Sequence, residues 1–186
     1  MRSHTKQMIR DALLKRLNEQ SLNKITVRQL CEDCGINHNT FYYYYSDIYA
    51  IIQEWFEESL QKAKEEYDES ASWEKSFIAA LQPVLANKKA IDHIYHSVSR
   101  ENLENYLYRM SGGIMEHFVN RITPEVNAKE SDRKLIARLF QCALTEIFLH
   151  WVADGMSEDP EALINRTGFL TDGMIEEALR RSASDN

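Results

Sequence analysis

Two short helical patterns lie on either side of Gly35, and they constrain the fold more than any other feature of the sequence. Thr26 is a preferred N-cap residue, and the apolar residues after it recur at the spacing of one helix face, which predicts a helix over Val27–Cys34. Gly35 accommodates the left-handed conformation that ends a helix, and Asn37 suits the cap of a second helix over His38–Tyr45. A helix, a short turn containing glycine and a second helix form a helix-turn-helix, whose second helix enters the major groove of DNA.

The residues of this stretch also carry a family resemblance. Their order resembles the DNA-binding motif of the TetR/AcrR family of bacterial transcription regulators at Ile25, Thr26, Val27, Arg28, Leu30, Cys31, Gly35, Ile36, Thr40, Phe41, Tyr42 and Tyr45. A second segment, Phe148–Leu163, resembles the C-terminal domain common among TetR-like regulators of Firmicutes. The resemblance implies an all-α protein that acts on transcription as a dimer.

The same resemblance implies which residues contact DNA. At the start of the second helix it assigns a phosphate contact to Thr26 and a base or phosphate contact to Arg28. On the third helix the matching positions are Asn37, His38, Asn39, Thr40, Tyr42, Tyr43 and Tyr44. Amide, imidazole and hydroxyl groups suit this role because they form hydrogen bonds with base edges and phosphate oxygens.

The sequence departs from the family pattern in its basic residues. The third helix carries no Lys or Arg, and Tyr43 occupies a position where the family frequently has a basic residue. Ile48 stands where a phosphate-contacting Lys is common. Because each phosphate contact steepens the loss of affinity with salt, we expect a shallower salt dependence than in relatives with both charges.

Length and composition favour a compact protein with a sizeable core. The 186 residues are 44% hydrophobic, which allows one or two domains. The charged N-terminal stretch is unlike a signal peptide and the apolar runs are short, so we expect a cytoplasmic protein without a membrane partner. The three cysteines, Cys31, Cys34 and Cys142, are expected to be reduced thiols, because an odd number without an export signal argues against a disulfide framework.

The net charge of −7 is unevenly distributed along the chain. Residues 1–50 hold seven Lys and Arg against five Asp and Glu, a balance of +2 that leaves −9 for the remainder. Phosphate binding depends on the local patch and not on the whole-chain charge. The distribution is therefore compatible with a DNA-reading head on an acidic body.

Helical spacing of apolar residues continues through the rest of the chain. It predicts helices at Thr5–Glu19, Ile48–Tyr67, Trp73–Leu85, Ala90–Val98, Glu101–Ile122, Asp132–Asp154 and Pro160–Arg181. Gly112 and Gly113 are expected to weaken or bend the fifth of these helices. We predict an all-α fold with a three-helix helix-turn-helix head at residues 1–47 and a helical-bundle body at residues 48–186, the latter for effector binding and dimerisation.

The last two predicted helices carry wide apolar stripes, more than the edge of one core needs. We predict that they pair with the same helices of a second copy to form a homodimer, through Phe140, Leu144, Phe148, Trp151, Leu170 and Met174. The family resemblance further implies a small-molecule effector of unknown identity inside the body. Candidate lining residues, for which ordinary core packing is the alternative, are Trp55, Tyr95, Tyr106, Met110 and Phe118.

We predict a homodimer that binds a palindromic operator in double-stranded DNA and acts as a repressor released by the small effector. Two rival functions are open. One is a TetR-like activator or co-regulator that acts through a protein partner, which the neutral third helix favours. The other is a helical metalloenzyme using His93, His96 and His117. Cys31 and Cys34 form a CxxC near His38, but the cysteines stand where this motif places small apolar residues. With no catalytic motif in the sequence, we expect no enzyme activity, metal or cofactor.

Overall fold

The computed structural model describes residues 2–68, 71–122 and 126–184, with the side chains of residues 2 and 3 left out. Regular structure in these ranges is helical throughout, which confirms the predicted all-α class. A 3-10 turn covers Leu22–Lys24. The α-helices are α1 (Arg2–Leu17), α2 (Val27–Cys34), α3 (His38–Tyr44), α4 (Ile48–Glu65), α5 (Trp73–Ala80), α6 (Gln82–Leu85), α7 (Lys88–Tyr95), α8 (Arg100–Ile122), α9 (Glu130–Ala153), α10 (Pro160–Thr171) and α11 (Met174–Ser184).

The chain divides into two compact units by its internal packing. Unit 1 comprises residues 1–62 and 83–106, and unit 2 comprises residues 63–82 and 107–186. In unit 1, α1 packs against α2 and α7, and α2 packs against α3. In unit 2, α5 packs against α10, and α9 packs against α11. Unit 1 therefore contains the three helices of the predicted head together with later segments of the chain.

The core of the head follows the apolar stripe predicted for its first helix. Ile9, Leu13 and Leu17 on α1 are buried, and so are Leu30 on α2 and Phe41 on α3. One turn later, Tyr45 is also buried although α3 ends at Tyr44. Three short helices thus share one small core, which fixes the angle of α3.

Two of the predicted helices are interrupted. The segment predicted as Trp73–Leu85 breaks at Leu81 into α5 and α6, because Pro83 lacks the backbone N–H that would continue the helix. The segment predicted as Pro160–Arg181 breaks at Asp172 and Gly173 into α10 and α11. The dimerisation region predicted as two helices is therefore built from three.

Helix α8 is continuous through Gly112 and Gly113, so the two glycines do not interrupt it. The predicted weakening or bend stays a prediction. A side chain of α9 contacts α8 at Gly112. The side chain of Gln141 lies across Gly112, and its Nε2 donates a hydrogen bond to the carbonyl oxygen of Tyr108 at 3.0 Å. Beside it, Ser111 is fully buried within 3.4 Å of the Thr145 hydroxyl. These contacts join α8 to α9 at Tyr108 and Ser111.

Helix α9 has 24 residues and is, by length and composition alone, apolar enough to cross a membrane. A single such helix is weak evidence, because core helices of soluble proteins meet the same criterion. Its most apolar stretch is 33% buried by its own chain. Much of this apolar helix therefore faces away from the core of unit 2.

Candidate nucleic-acid interface

Three local features fix the two helices and the turn between them, at Thr26, Gly35 and Asn37, where the sequence predicted two caps and a helix end. Thr26 and Gln29 form a capping box, in which the Gln29 N–H donates to the Thr26 hydroxyl and the Thr26 N–H donates to the Gln29 side chain. Gly35 ends α2 with a φ of 62°, in the left-handed region that glycine adopts without a Cβ clash. The Asn37 side chain then caps α3 by accepting from the Thr40 N–H at 2.8 Å.

Most side chains predicted to contact DNA are exposed on this framework. Tyr42 and Tyr43 are 57% and 63% exposed. Thr40 and Tyr44 are partly buried. The remaining candidates, all exposed, are Thr26, Arg28, Asn37, His38 and Asn39. Helix α3 thus presents a surface of neutral hydrogen-bonding groups, because the apolar Phe41 faces the core.

Some of these groups already form hydrogen bonds. Asn37 Oδ1 accepts from both the N–H and the hydroxyl of Thr40, which leaves the Asn37 amide hydrogens for another partner. In the part of the chain that the structure describes, the side chains of His38 and Asn39 form no hydrogen bond. These two side chains are therefore available to an external partner without the loss of an existing hydrogen bond.

The charge of Arg28 is shared with a neighbour. Its Nε donates to Glu32 Oε1 at 2.9 Å, one turn along α2. This hydrogen bond raises the pKa of the guanidinium above its ordinary value. A phosphate contact by Arg28 must compete with that carboxylate. Lys24, one of the seven basic residues counted in residues 1–50, is exposed in the turn before α2.

The C-terminal region of the chain identifies the family. Residues 71–173 match the family described as the transcriptional regulator C-terminal region. The chain belongs to the TetR family of transcriptional regulators. Among solved structures, the dihydroxyacetone kinase operon activator DhaS is similar to it, with a TM-score of 0.78 and 16% sequence identity over 93% of this chain and 97% of that one. No curated protein matches this chain significantly in sequence.

The five residues predicted to line an effector pocket of this TetR-family regulator fall in both units. In unit 1, the rings of Trp55 and Tyr106 each stack on the ring of Phe56, with centroid distances of 5.0 and 4.9 Å. Trp55 and Tyr106 are buried, and Tyr95 is partly exposed. In unit 2, Met110 is buried and Phe118 is partly exposed. Sequence periodicity marked all five as inward-facing but carried no information on which of them border empty space.

Phe118 lines a cavity of about 200 Å³ in unit 2. The other walls come from the start of α5 and from the break between α10 and α11. They are formed by Ser72, Trp73, Glu74, Gly168, Thr171, Asp172, Gly173, Ile175 and Glu176. Sequence reasoning missed these residues, because the turn at Asp172 and Gly173 was predicted as continuous helix.

The three histidines of the metalloenzyme alternative do not come together as one group. His93 shares a hydrogen bond between Nδ1 and the carbonyl oxygen of Leu17 at 2.6 Å, and His96 Nδ1 lies 3.0 Å from the Asp92 carbonyl oxygen. His117 packs edge-on against the ring of Tyr67 in unit 2. Among the described residues, no group of three or more His, Cys, Asp or Glu is arranged to hold a metal ion.

The predicted dimer-interface residues of the regulator fall into two sets. Leu144, Phe148 and Trp151 are buried within their own chain, where the Phe148 ring packs against Phe77 at 4.8 Å. These three are corrected to core residues, because that side of the wide α9 stripe faces unit 2. Phe140 is partly exposed, and Leu170 and Met174 are exposed.

Proposed function

We propose that this regulator forms a homodimer, binds a palindromic operator through α3 and represses transcription until a small effector binds. The observation that carries the proposal is the surface of α3, where His38 and Asn39 are exposed and free of other hydrogen bonds in the described structure. Asn pairs with adenine through two hydrogen bonds, and His donates to or accepts from base edges. Tyr hydroxyls along the same helix suit phosphate oxygens.

Dimerisation is supported by apolar side chains that unit 2 leaves exposed. Five large ones are between 53% and 71% exposed: Leu135, Leu139, Phe169, Leu170 and Met174. Leu135 and Leu139 lie one turn apart on α9, so they share one face of the helix. Large apolar side chains that are exposed together on one helix face are candidates for an interaction surface. We propose that this face, with Phe140 at its edge, pairs with its copy around a two-fold axis.

A dimer also accounts for how a short helix selects one site. A single helix-turn-helix reads few base pairs, and two such heads about 34 Å apart read a palindrome. In this arrangement residues 1–47 are the DNA-binding domain and residues 48–186 the effector-binding and dimerisation domain. We assign the protein to the cytoplasm, where a regulator of this kind has access to the chromosome.

The cavity beside Phe118 supports an effector site in unit 2, and its volume of about 200 Å³ favours a small molecule, because drug-sized ligands occupy roughly 300 to 1,000 Å³. Trp55, Tyr95, Tyr106 and Met110 remain proposed contributors.

The alternative is an activator or co-regulator that acts through a protein partner. Two observations favour it: the similar structure DhaS is named an operon activator, and α3 of this chain carries no Lys or Arg for phosphate binding. Because a weakly basic head makes few phosphate contacts, a partner protein that adds contacts with DNA would raise its DNA affinity.

A mobility-shift assay separates the two functions. The purified full-length protein is titrated alone onto the DNA upstream of its own gene, and then with cell extract. We expect a shift by the protein alone that excess unrelated duplex does not remove. A shift that appears only with the extract contradicts the repressor proposal and supports the partner-dependent alternative.

A further inference from the structure

Three helices of unit 1 meet at the carboxylate of Glu54 on α4. The Tyr45 hydroxyl, at the end of α3, donates to Glu54 Oε2. The Lys6 ammonium, on α1, donates to Glu54 Oε1 and lies 5.3 Å from the centroid of the Tyr45 ring. Each carboxylate oxygen of Glu54 thus accepts one hydrogen bond, Oε2 from Tyr45 at the end of α3 and Oε1 from Lys6 on α1.

The protonation states keep this cluster intact at neutral pH. Burial by itself would raise the pKa of Glu54, but the hydrogen bonds from Lys6 and Tyr45 lower it below its ordinary value. Burial, followed by the hydrogen bond to Glu54, raises the pKa of the Tyr45 phenol far above its usual range. An ionised carboxylate therefore faces a neutral phenol that remains a donor, and charge-assisted hydrogen bonds of this kind are short and strong.

The contact joins the end of α3 directly to α4. Helix α3 has seven residues, and the Asn37 cap fixes its first turn. At its other end Tyr45 is extended, with φ −139° and ψ 138°, and two residues separate it from α4. The buried Phe41 and Tyr45 rings, 6.2 Å apart, set the depth of the helix in the core. The hydroxyl contact with Glu54 adds a directional link between the end of α3 and α4.

We propose that Glu54 is a positioning residue for DNA reading: through Tyr45 it holds the exposed face of α3 at the angle at which His38 and Asn39 reach base edges. This inference rests on the proposed function, because it assumes that α3 enters the major groove. Glu54 itself need not touch DNA. Its loss should weaken base-specific binding more than it weakens phosphate contacts, which tolerate small rotations.

The chain offers a matched control at the next turn of α4. Glu58 pairs with Arg10 of α1, so it also joins α1 to α4, but its ion pair does not include α3. Glu58→Gln therefore removes an α1–α4 ion pair and leaves the contact with Tyr45. Glu54→Gln keeps the shape of the side chain but leaves one acceptor oxygen for two donors. Tyr45→Phe removes the hydroxyl alone.

The experiment compares four variants of the full-length protein: Glu54→Gln, Tyr45→Phe, the double variant and Glu58→Gln. Binding to an operator selected from genomic DNA and to an unrelated duplex is measured by fluorescence anisotropy at several salt concentrations. Thermal unfolding gives the folded fraction of each variant, and every measured affinity is corrected for that fraction. We expect operator affinity to fall about tenfold in Glu54→Gln and in Tyr45→Phe, which corresponds to about 1.4 kcal/mol, with binding to unrelated DNA and the salt slope unchanged.

The double variant and the control decide how the loss arises. If Glu54 acts through Tyr45, the double variant loses no more than the larger single loss, because the two changes remove the same contact. Glu58→Gln should bind as the wild type does. Operator binding within twofold of wild type in Tyr45→Phe overturns the positioning role, as does an equal loss on both duplexes or in Glu58→Gln. If the wild type selects no operator, the proposed function fails and the positioning role fails with it.

Discussion

The side-chain amide of Gln141 lies directly over Gly112, where an added Cβ would come within 2.4 Å of Nε2. The same amide donates to the Tyr108 carbonyl oxygen, so one side chain of α9 is hydrogen-bonded to the backbone of α8. The neighbouring Gly113 has nothing within 4 Å of its own Cβ position. Two adjacent glycines in one helix thus have opposite environments.

We therefore expect Gly112→Ala and Gly113→Ala to change the free energy of unfolding by different amounts or in opposite directions. Gly113→Ala should raise the free energy of unfolding by roughly 0.5 to 1 kcal/mol, because alanine loses less backbone entropy in a helix. The free energy of unfolding of Gly112→Ala should be about 1 kcal/mol lower than that of Gly113→Ala, because the new methyl group displaces Gln141 and breaks its hydrogen bond. Urea unfolding of both variants measures the difference. Equal stabilisation by the two changes would contradict the close approach of α9.

The cap of α3 gives a prediction that separates stability from DNA contact. Asn37→Ala should lower the free energy of unfolding by about 1 kcal/mol, because the Thr40 N–H loses its acceptor. Asn37→Asp keeps an acceptor for the Thr40 N–H, so its free energy of unfolding should stay within roughly a few tenths of a kcal/mol of the wild-type value. Its carboxylate would nevertheless weaken DNA binding by repelling phosphates. Thermal unfolding and operator affinity are measured together; full affinity in Asn37→Asp would remove Asn37 from the interface.

The sequence predicted this local geometry closely, and physical reasons explain where it failed. Thr26, Gly35 and Asn37 act on their own neighbours, so α2 was placed to the residue and α3 to within one residue of its end. Tertiary contacts are different. Leu139 and Phe148 lie nine residues apart, on opposite sides of α9, and both sides are apolar. The sequence therefore did not reveal that the Phe148 side faces the core and the Leu139 side faces outward. The contact between Tyr45 and Glu54 likewise depends on the angle between two helices, which no periodicity encodes.

The neutral surface of α3 predicts a shallow salt dependence that one substitution should steepen. Tyr43→Lys places an ammonium where the family often has a basic residue. For each phosphate gained, the slope of log affinity against log salt concentration should become steeper by about 0.9, and a dimer gains up to two. Ser157→Lys, an exposed position in unit 2, adds the same charge away from α3 and serves as the control. A slope already as steep in the wild type as in Tyr43→Lys would refute the prediction.

The proposed dimer face can be tested with a charge. Leu139→Glu should convert the dimer to a monomer at micromolar concentration, because two buried carboxylates would face each other near the two-fold axis. Val98→Glu introduces the same charge at an apolar side chain that is 81% exposed in unit 1, and should leave assembly unchanged. Sedimentation velocity reports both outcomes. A Leu139→Glu protein that still sediments as a dimer would show that another surface mediates assembly.

The central claim is that α3 enters a DNA groove twice per assembly, and hydroxyl-radical footprinting of the selected operator tests it most directly. The account predicts two protected patches on one face of the duplex, related by a dyad and separated by one helical turn of about 10 base pairs. Asn39→Ala should abolish both patches at a protein concentration that saturates the wild type. A single patch, or protection that survives in Asn39→Ala, would contradict the account.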